Sequence, residues 1–160
     1  MTIIEAVPNV SEGRRPEIIN SIIDSVSTVE NTRLLDHTSD PSHNRTVLTL
    51  VGNAKGLFHA IVRLYEAAIQ TIDLRNHDGE HPRIGAVDVV PFIPLQQASP
   101  SDCIALARQL GETVAQRFRI PVYLYGSAAS HIGRQPLENI RRGQLRGLSK
   151  RMHQSPWQPD

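Results

Sequence analysis

The stretch His77-Asp78-Gly79-Glu80-His81-Pro82-Arg83 packs two imidazoles, two carboxylates and a guanidinium into one short segment. Imidazole titrates near ~6.5 when unperturbed, so either histidine can take up and release a proton at cellular pH. General acid–base chemistry is one use of such a cluster; metal binding and a solvated loop are the others. His77 and His81 stand four residues apart, the spacing that puts two zinc ligands on one helix face. Pro82 argues against that register, because proline drives the residue before it out of the α region.

A second polar cluster runs from Asp36 through His37, Thr38, Asp40 and His43 to Arg45, and its simplest reading is turn chemistry. Asp88 interrupts the apolar run Ala86-Val87-Asp88-Val89-Val90. A carboxylate there is either buried with partners or turned out at an edge, and a structural hydrogen-bonding role is expected. Cys103, near a helix start, reads as a semi-buried structural thiol rather than a reactive one. Arg134, Arg141, Arg142, Arg146, Lys150 and Arg151 are opposed only by Glu138. Such a run is a solvated face or an attractor of anions; without interleaved aromatics it is a weak RNA signal.

These residues must be held by elements that the patterning makes visible. Residues 2–8 read as a strand ended by Pro8-Asn9. Pro16 then opens a helix whose Ile18, Ile19, Ile22, Ile23 and Val26 recur at helical spacing. Thr32–His37 and Arg45–Gly52 form an antiparallel pair around the second cluster. The pairs Leu57/Phe58, Ile61/Val62, Leu64/Tyr65 and Ala68/Ile69 make an amphipathic helix that needs a sheet to cover. Ile84–Leu95 reads as a strand buried on both faces, weakened at its far end by Pro91 and Pro94. Ser99 caps a helix with Pro100 in its first turn, and Pro121–Tyr125 gives a last strand. The expected fold class is α+β: a ferredoxin-like β-α-β-β-α-β sandwich with an added α-β and a short helical tail, its sheet mixed and its helices on one face.

The length suits a single domain or subdomain over residues 1–160. Seventeen basic against sixteen acidic residues leave a net charge of +1, which supplies no general drive toward nucleic acid or membrane. A lone cysteine and a start without a basic, apolar leader fit a cytoplasmic location. No segment approaches the ~20 apolar residues of a membrane span.

Taken in order, Glu5-Ala6-Val7-Pro8-Asn9-Val10-Ser11-Glu12-Gly13, Asn44-Arg45-Thr46-Val47, Gly79-Glu80-His81-Pro82-Arg83-Ile84-Gly85-Ala86-Val87-Asp88-Val89, Pro91-Phe92-Ile93-Pro94 and Val122-Tyr123-Leu124-Tyr125-Gly126 resemble the N-terminal subdomain of glutamate formiminotransferase. The resemblance covers essentially the whole chain. It implies transfer of a formimino group from N-formimino-glutamate to N5 of tetrahydrofolate, with the folate as co-substrate and no metal. It also implies that the histidine of the Gly-x-His-Pro-Arg block, His81 here, is the catalytic acid and base. Arg83 and Arg45 are candidates to hold substrate carboxylates through paired charge-assisted hydrogen bonds. Asn9 and Glu80, inside the matching blocks, complete the expected substrate- and folate-binding set, and Asp36 is expected to orient or charge-stabilise an active-site group. Thr38 stands where the family has a second acid. The family's site also uses a second subdomain of similar size, so the expected partners are that missing C-terminal subdomain or a second copy of the chain. Neither nucleic acid nor membrane is expected. The alternative is a stand-alone folate- or protein-binding module derived from this fold.

Overall fold

Two proline breaks shape the sheet. In the computed structural model, which describes residues 2–160, the first strand is split at Val7-Pro8 into β1 (Ile4–Ala6) and β2 (Asn9–Val10). The apolar run after the histidine loop is split at Val90-Pro91 into β5 (Val87–Val89) and β6 (Phe92–Pro94). Proline has no N–H to give to a ladder, so each strand is interrupted where its proline falls. The two breaks lie side by side: the Val7 N–H donates to the Pro91 carbonyl at 3.1 Å. Asn9, expected in the turn, is therefore a strand residue, and the single long strand expected over Ile84–Leu95 is replaced by two short ones.

Between them lie α1 (Pro16–Ser27), β3 (Thr32–Asp40), β4 (Arg45–Gly52) and α2 (Ala54–Thr71). The order across the sheet is β5-β2-β4-β1-β6, with β3 paired to the other edge of β4. Every pairing among the described residues is antiparallel, which corrects the expected mixed sheet. The physical reason is the chain's path. The tight β3–β4 turn reverses direction, and the helical crossovers return each later strand antiparallel to its neighbour. The hairpin turn is also shorter than expected, since pairing continues to Asp40 opposite Arg45.

Burial along β4 alternates strictly, with Thr46, Leu48 and Leu50 buried and Arg45, Val47 and Thr49 half-exposed. Period-two alternation of this kind marks a sheet with one covered face. α1 supplies Ile19, Ile22 and Val26 to the core and packs on α2, whose Leu57, Ala60, Ile61, Leu64 and Ala68 are wholly buried. The apolar stripe of α2 is narrower than the sequence pairs imply: Phe58 and Tyr65 are half-buried and Ile69 is 37% exposed. Phe58, Tyr65 and Ile69 each lie ~100° round the helix from their buried neighbour, at the flank of the contact, whereas Val62 is buried.

The chain divides into two units, the first holding residues through His81 together with Gly85–Cys103, the second Pro82–Ile84 with Ile104–Asp160. α3 (Pro100–Phe118) begins with the expected cap. The Asp102 N–H donates to Ser99 Oγ at 3.3 Å, and the Asp102 carboxylate accepts from the Ser99 N–H and hydroxyl at 2.8 Å each. Those bonds, the backbone one first, hold the Asp102 carboxyl below its ordinary range. Cys103 is buried, which pushes its thiol up, with Asp102 adding to the shift.

In the second unit the strand expected at Pro121–Tyr125 does not form. The chain's last residues occupy its hydrogen-bonding groups instead: Asp160 N–H donates to the Val122 carbonyl at 2.9 Å, and Leu124 N–H donates to Asp160 Oδ2 at 2.8 Å. Buried Arg134 holds the same carboxylate at 2.7 Å and the Gln158 carbonyl at 2.8 Å. The helical tail is present as α4 (Leu137–Arg141) and α5 (Gln144–Arg151). Arg151 is far from a solvated charge: its guanidinium lies 4.4 Å from the Trp157 ring centroid and donates to the carbonyls of Asn139, Ile140 and Arg142. No helix of the described residues is long and apolar enough to cross a membrane.

Candidate active site

The loop Ser11-Glu12-Gly13 is the fastening point of the site. Glu12 is 1% exposed, yet its carboxylate accepts from the N–H groups of Arg14 and Arg15 at 2.9 Å each and from Arg15 Nε at 2.7 Å. Burial alone would raise its pKa; the bonds from Arg14 and Arg15 outweigh that and hold it below the ordinary glutamate value. The backbone of the same loop is tied to the start of β4. Thr46 Oγ1 donates to the Glu12 carbonyl at 2.6 Å, and Gly13 N–H donates to Asn44 Oδ1 at 2.9 Å. A Cβ on Gly13 would lie 2.4 Å from the Asp40 carbonyl oxygen and 2.5 Å from the Arg45 nitrogen, so only glycine lets the two segments approach.

Asn44 sits at φ 48°, a left-handed turn position that asparagine tolerates, and its Nδ2 donates to the Asp78 carbonyl at 2.9 Å. This bond brings the histidine loop over the hairpin turn. Arg14 adds an ion pair to Asp78 at 2.9 Å, and Glu80 N–H donates to the Ser42 carbonyl at 3.2 Å. His77 is taken up structurally, its Nε2 lying 2.7 Å from the Ser11 carbonyl. His77 and His81 thus face different partners in a non-helical loop, not a shared helix face. No group of three or more His, Cys, Asp or Glu among the described residues is placed to hold a metal ion.

His81 is the residue on which the loops converge. Its side chain is 15% exposed, and Nε2 lies 3.7 Å from Asp88 Oδ2, whose own side chain is 2% exposed. Arg45 Nη1 lies 3.5 Å from Nδ1 and 3.4 Å from Nε2, straddling the ring rather than bonding one nitrogen. The Arg45 Nε is buried without a hydrogen-bond partner among the described residues. Beside this group, His43 Nδ1 lies 2.6 Å from Asp40 Oδ2, and the His43 and His81 rings meet edge-on with centroids 6.2 Å apart. Two imidazoles, two carboxylates and a guanidinium therefore share one place, contributed by the hairpin turn, the histidine loop and β5.

The expected site residues divide accordingly. His81 and Arg45 are in contact. Asn9 pairs with Val47 and Val89, its Nδ2 bonded to the Val7 carbonyl at 2.9 Å, and Glu80 is exposed in the histidine loop. Asp36 is exposed on β3 opposite Thr49, away from the His81 contacts. Arg83 is buried in the second unit. The carboxylate beside His81 is Asp88, which sequence reasoning assigned to structure; its one available signal was a charge inside an apolar run. The Asp40–His43 pair had no signal beyond the spacing of three within a turn.

A histidine flanked by a buried carboxylate and an arginine, on loops fixed by a glutamate-centred turn, has the groups that taking up and returning a proton requires. The chain belongs to the formiminotransferase family: residues 3–160 match the formiminotransferase domain, N-terminal subdomain. It is 37% identical over 158 residues to the glutamate formimidoyltransferase of Streptococcus pyogenes serotype M1, covering 99% of this chain and 53% of that protein. It is 41% identical over 162 residues to the glutamate formimidoyltransferase of Thermoplasma acidophilum, covering 100% of this chain and 54% of that protein. Against the formimidoyltransferase-cyclodeaminase of Sus scrofa it is 42% identical over 158 residues, 99% of this chain and 29% of the relative. The chain thus spans about half the length of the first of these relatives, or less.

Proposed function

We propose that this chain supplies the histidine-bearing part of a folate-dependent transferase, which moves a formimino group from N-formimino-glutamate to N5 of tetrahydrofolate in histidine degradation. The observation that carries the reading is His81 held between Arg45 and the buried Asp88. As N5 attacks the amidine carbon, the His81 imidazole takes the proton that N5 sheds. Asp88 orients the ring, and Arg45 presents a fixed cation for a substrate carboxylate. Arg83, Asn9 and Glu80 remain the proposed substrate and folate contacts, and Asp36 a proposed charge-stabilising group. Tetrahydrofolate is co-substrate, and the chemistry proposed needs no metal.

We read the fold as the family's ferredoxin-like N-terminal subdomain, a reading supported by the strand order and by α1 and α2 packing together. The rest of the site comes from the second half that the relatives' greater length implies, or from another copy of the chain. A cytoplasmic setting suits both substrates.

The test is calorimetric titration of tetrahydrofolate, or a stable analogue, together with an assay for glutamate release. Parent and His81→Ala proteins are compared, each alone and with the second half of a relative supplied in trans. His81-dependent glutamate release in either format supports the transferase. Folate binding without release in both formats would replace it with the binding-module reading.

A further inference from the structure

Resting on the transferase reading, a second proton-handling side chain can be picked out beside the first. The tetrahedral centre of amidine transfer carries two nitrogens with opposite needs. N5 must lose a proton as its bond to carbon forms, whereas the glutamate nitrogen must gain one as its bond breaks. These two nitrogens diverge from one carbon at a roughly tetrahedral angle; one ring can serve them in turn, as the family resemblance implies for His81, whereas two adjoining rings can divide the tasks.

His43 is placed to be the second ring. Its Nδ1 lies 2.6 Å from Asp40 Oδ2, so the ring carries a proton there and its acid–base exchange runs through Nε2. The ring meets His81 edge-on at 6.2 Å between centroids, inclined by 62°. Asp40 is itself fixed, accepting from the N–H groups of Ser42 at 2.9 Å and His43 at 3.0 Å. The His43 backbone and ring bonds, in that order, hold the Asp40 carboxyl below its ordinary range, so it is an anion throughout the neutral region. The titratable groups that meet the His43 ring are Asp40 in its own turn and His81 from the histidine loop, and His81 in turn meets Arg45 at the start of β4 and Asp88 from β5. The side chain is 41% exposed, open to a substrate.

We infer that His43, locked by Asp40, is the acid that protonates the departing glutamate nitrogen while His81 serves as the base toward N5. The N5–C bond forms as neutral His81 takes the N5 proton, and the C–N bond breaks as the His43 imidazolium gives its proton to glutamate. The formimino group ends on N5, glutamate leaves as the amine, and a proton passing through solvent from His81 to His43 restores both rings. No electron is gained or lost.

The experiment measures kcat and KM for His43→Gln, Asp40→Asn and His81→Gln in the assembly that turns over. Two formimino donors are used, one releasing glutamate and one an aryl formimidate ester, whose phenolate of low basicity departs without a proton. General acid catalysis contributes about 10²–10⁴-fold. His43→Gln is therefore expected to lose at least about 100-fold in kcat with the glutamate donor, at little change in KM, and to recover to within about threefold of the parent with the aryl donor. Asp40→Asn should show the same pattern at about tenfold, whereas His81→Gln should be slow with both donors. Equal losses with both donors, or no loss, for His43→Gln in a parent that transfers the group would overturn the inference and leave the transferase reading standing. A parent assembly that transfers from neither donor would overturn both.

Discussion

Glu12→Gln isolates the charge that anchors the site, because the amide keeps the shape of the side chain. The carboxylate accepts two backbone bonds at 2.9 Å on Oε1 and the Arg15 side chain on Oε2. A charge-assisted bond contributes about 1.5–3 kcal/mol and a neutral one about 0.5–1.5, so each retained backbone bond weakens by about 1 kcal/mol. The amide NH₂ now faces the Arg15 guanidinium, donor against donor. That pair is 49% exposed on the arginine side, so its loss adds less than about 1 kcal/mol. The expected cost is about 2–3 kcal/mol, a fall of roughly 1–1.5 M in the urea midpoint at a slope of about 2 kcal/mol/M. The effect also has a pH sign. The folded-state pKa is lowered, so the contribution is fully present above the unfolded glutamate value of about 4.3 and is lost as pH falls through the folded one. The gap between parent and variant in urea melts, full at neutral pH, should therefore narrow below about pH 4 and close once the pH has fallen through the folded-state value. A variant within about 0.5 kcal/mol of the parent at neutral pH, or a gap that persists in acid, would refute the argument that Glu12 acts through its charge.

Gly13→Ala should be worse than Glu12→Gln, since its Cβ meets main-chain atoms of Asp40 and Arg45 that cannot rotate away. A loss of about 3 kcal/mol or more in the same melts is expected, and an unchanged midpoint would show that the turn yields. Asp88→Asn should lower turnover by about tenfold with little change in substrate affinity, because the 3.7 Å pair orients His81 without binding substrate; steady-state kinetics of the assembled enzyme decide it. Arg134→Met removes the charged bonds that hold Gln158 and Asp160, a buried-pair loss of about 3–5 kcal/mol. Trp157, the only tryptophan, should then shift its emission to the red before the rest of the chain unfolds. An unshifted emission would refute the clamp.

The parts of the fold legible in the sequence are those with a local period or a local cap. The Leu57-Ile61-Leu64-Ala68 stripe, the β4 alternation and the Ser99–Asp102 cap each depend on residues within a few positions of one another. Pro121–Tyr125 has a strand's composition, yet its partners are tail residues some 35 positions away that no local pattern announces. The same limit applied at the site. His81 and Arg45 stand out by residue type, but their meeting depends on Asn44 reaching Asp78, 34 positions away. On paper Asp36 was the expected active-site carboxylate and Asp88 a structural one. Register sets Asp36 opposite Thr49 on β3, and Asp88 Oδ2 lies 3.7 Å from His81 Nε2.

The fastening of the Ser11–Gly13 loop bears on how the chain folds in time. Its bonds close loops of 31 residues to Asn44, 66 to His77 and 74 to Gly85. Long closures are entropically late events, made after the β3–β4 hairpin and the two helices have nucleated. His81 and Arg45 therefore come together only as the barrier is being descended. Substitutions in this loop should leave the refolding rate nearly unchanged and accelerate unfolding, so the site is also what makes the folded chain long-lived.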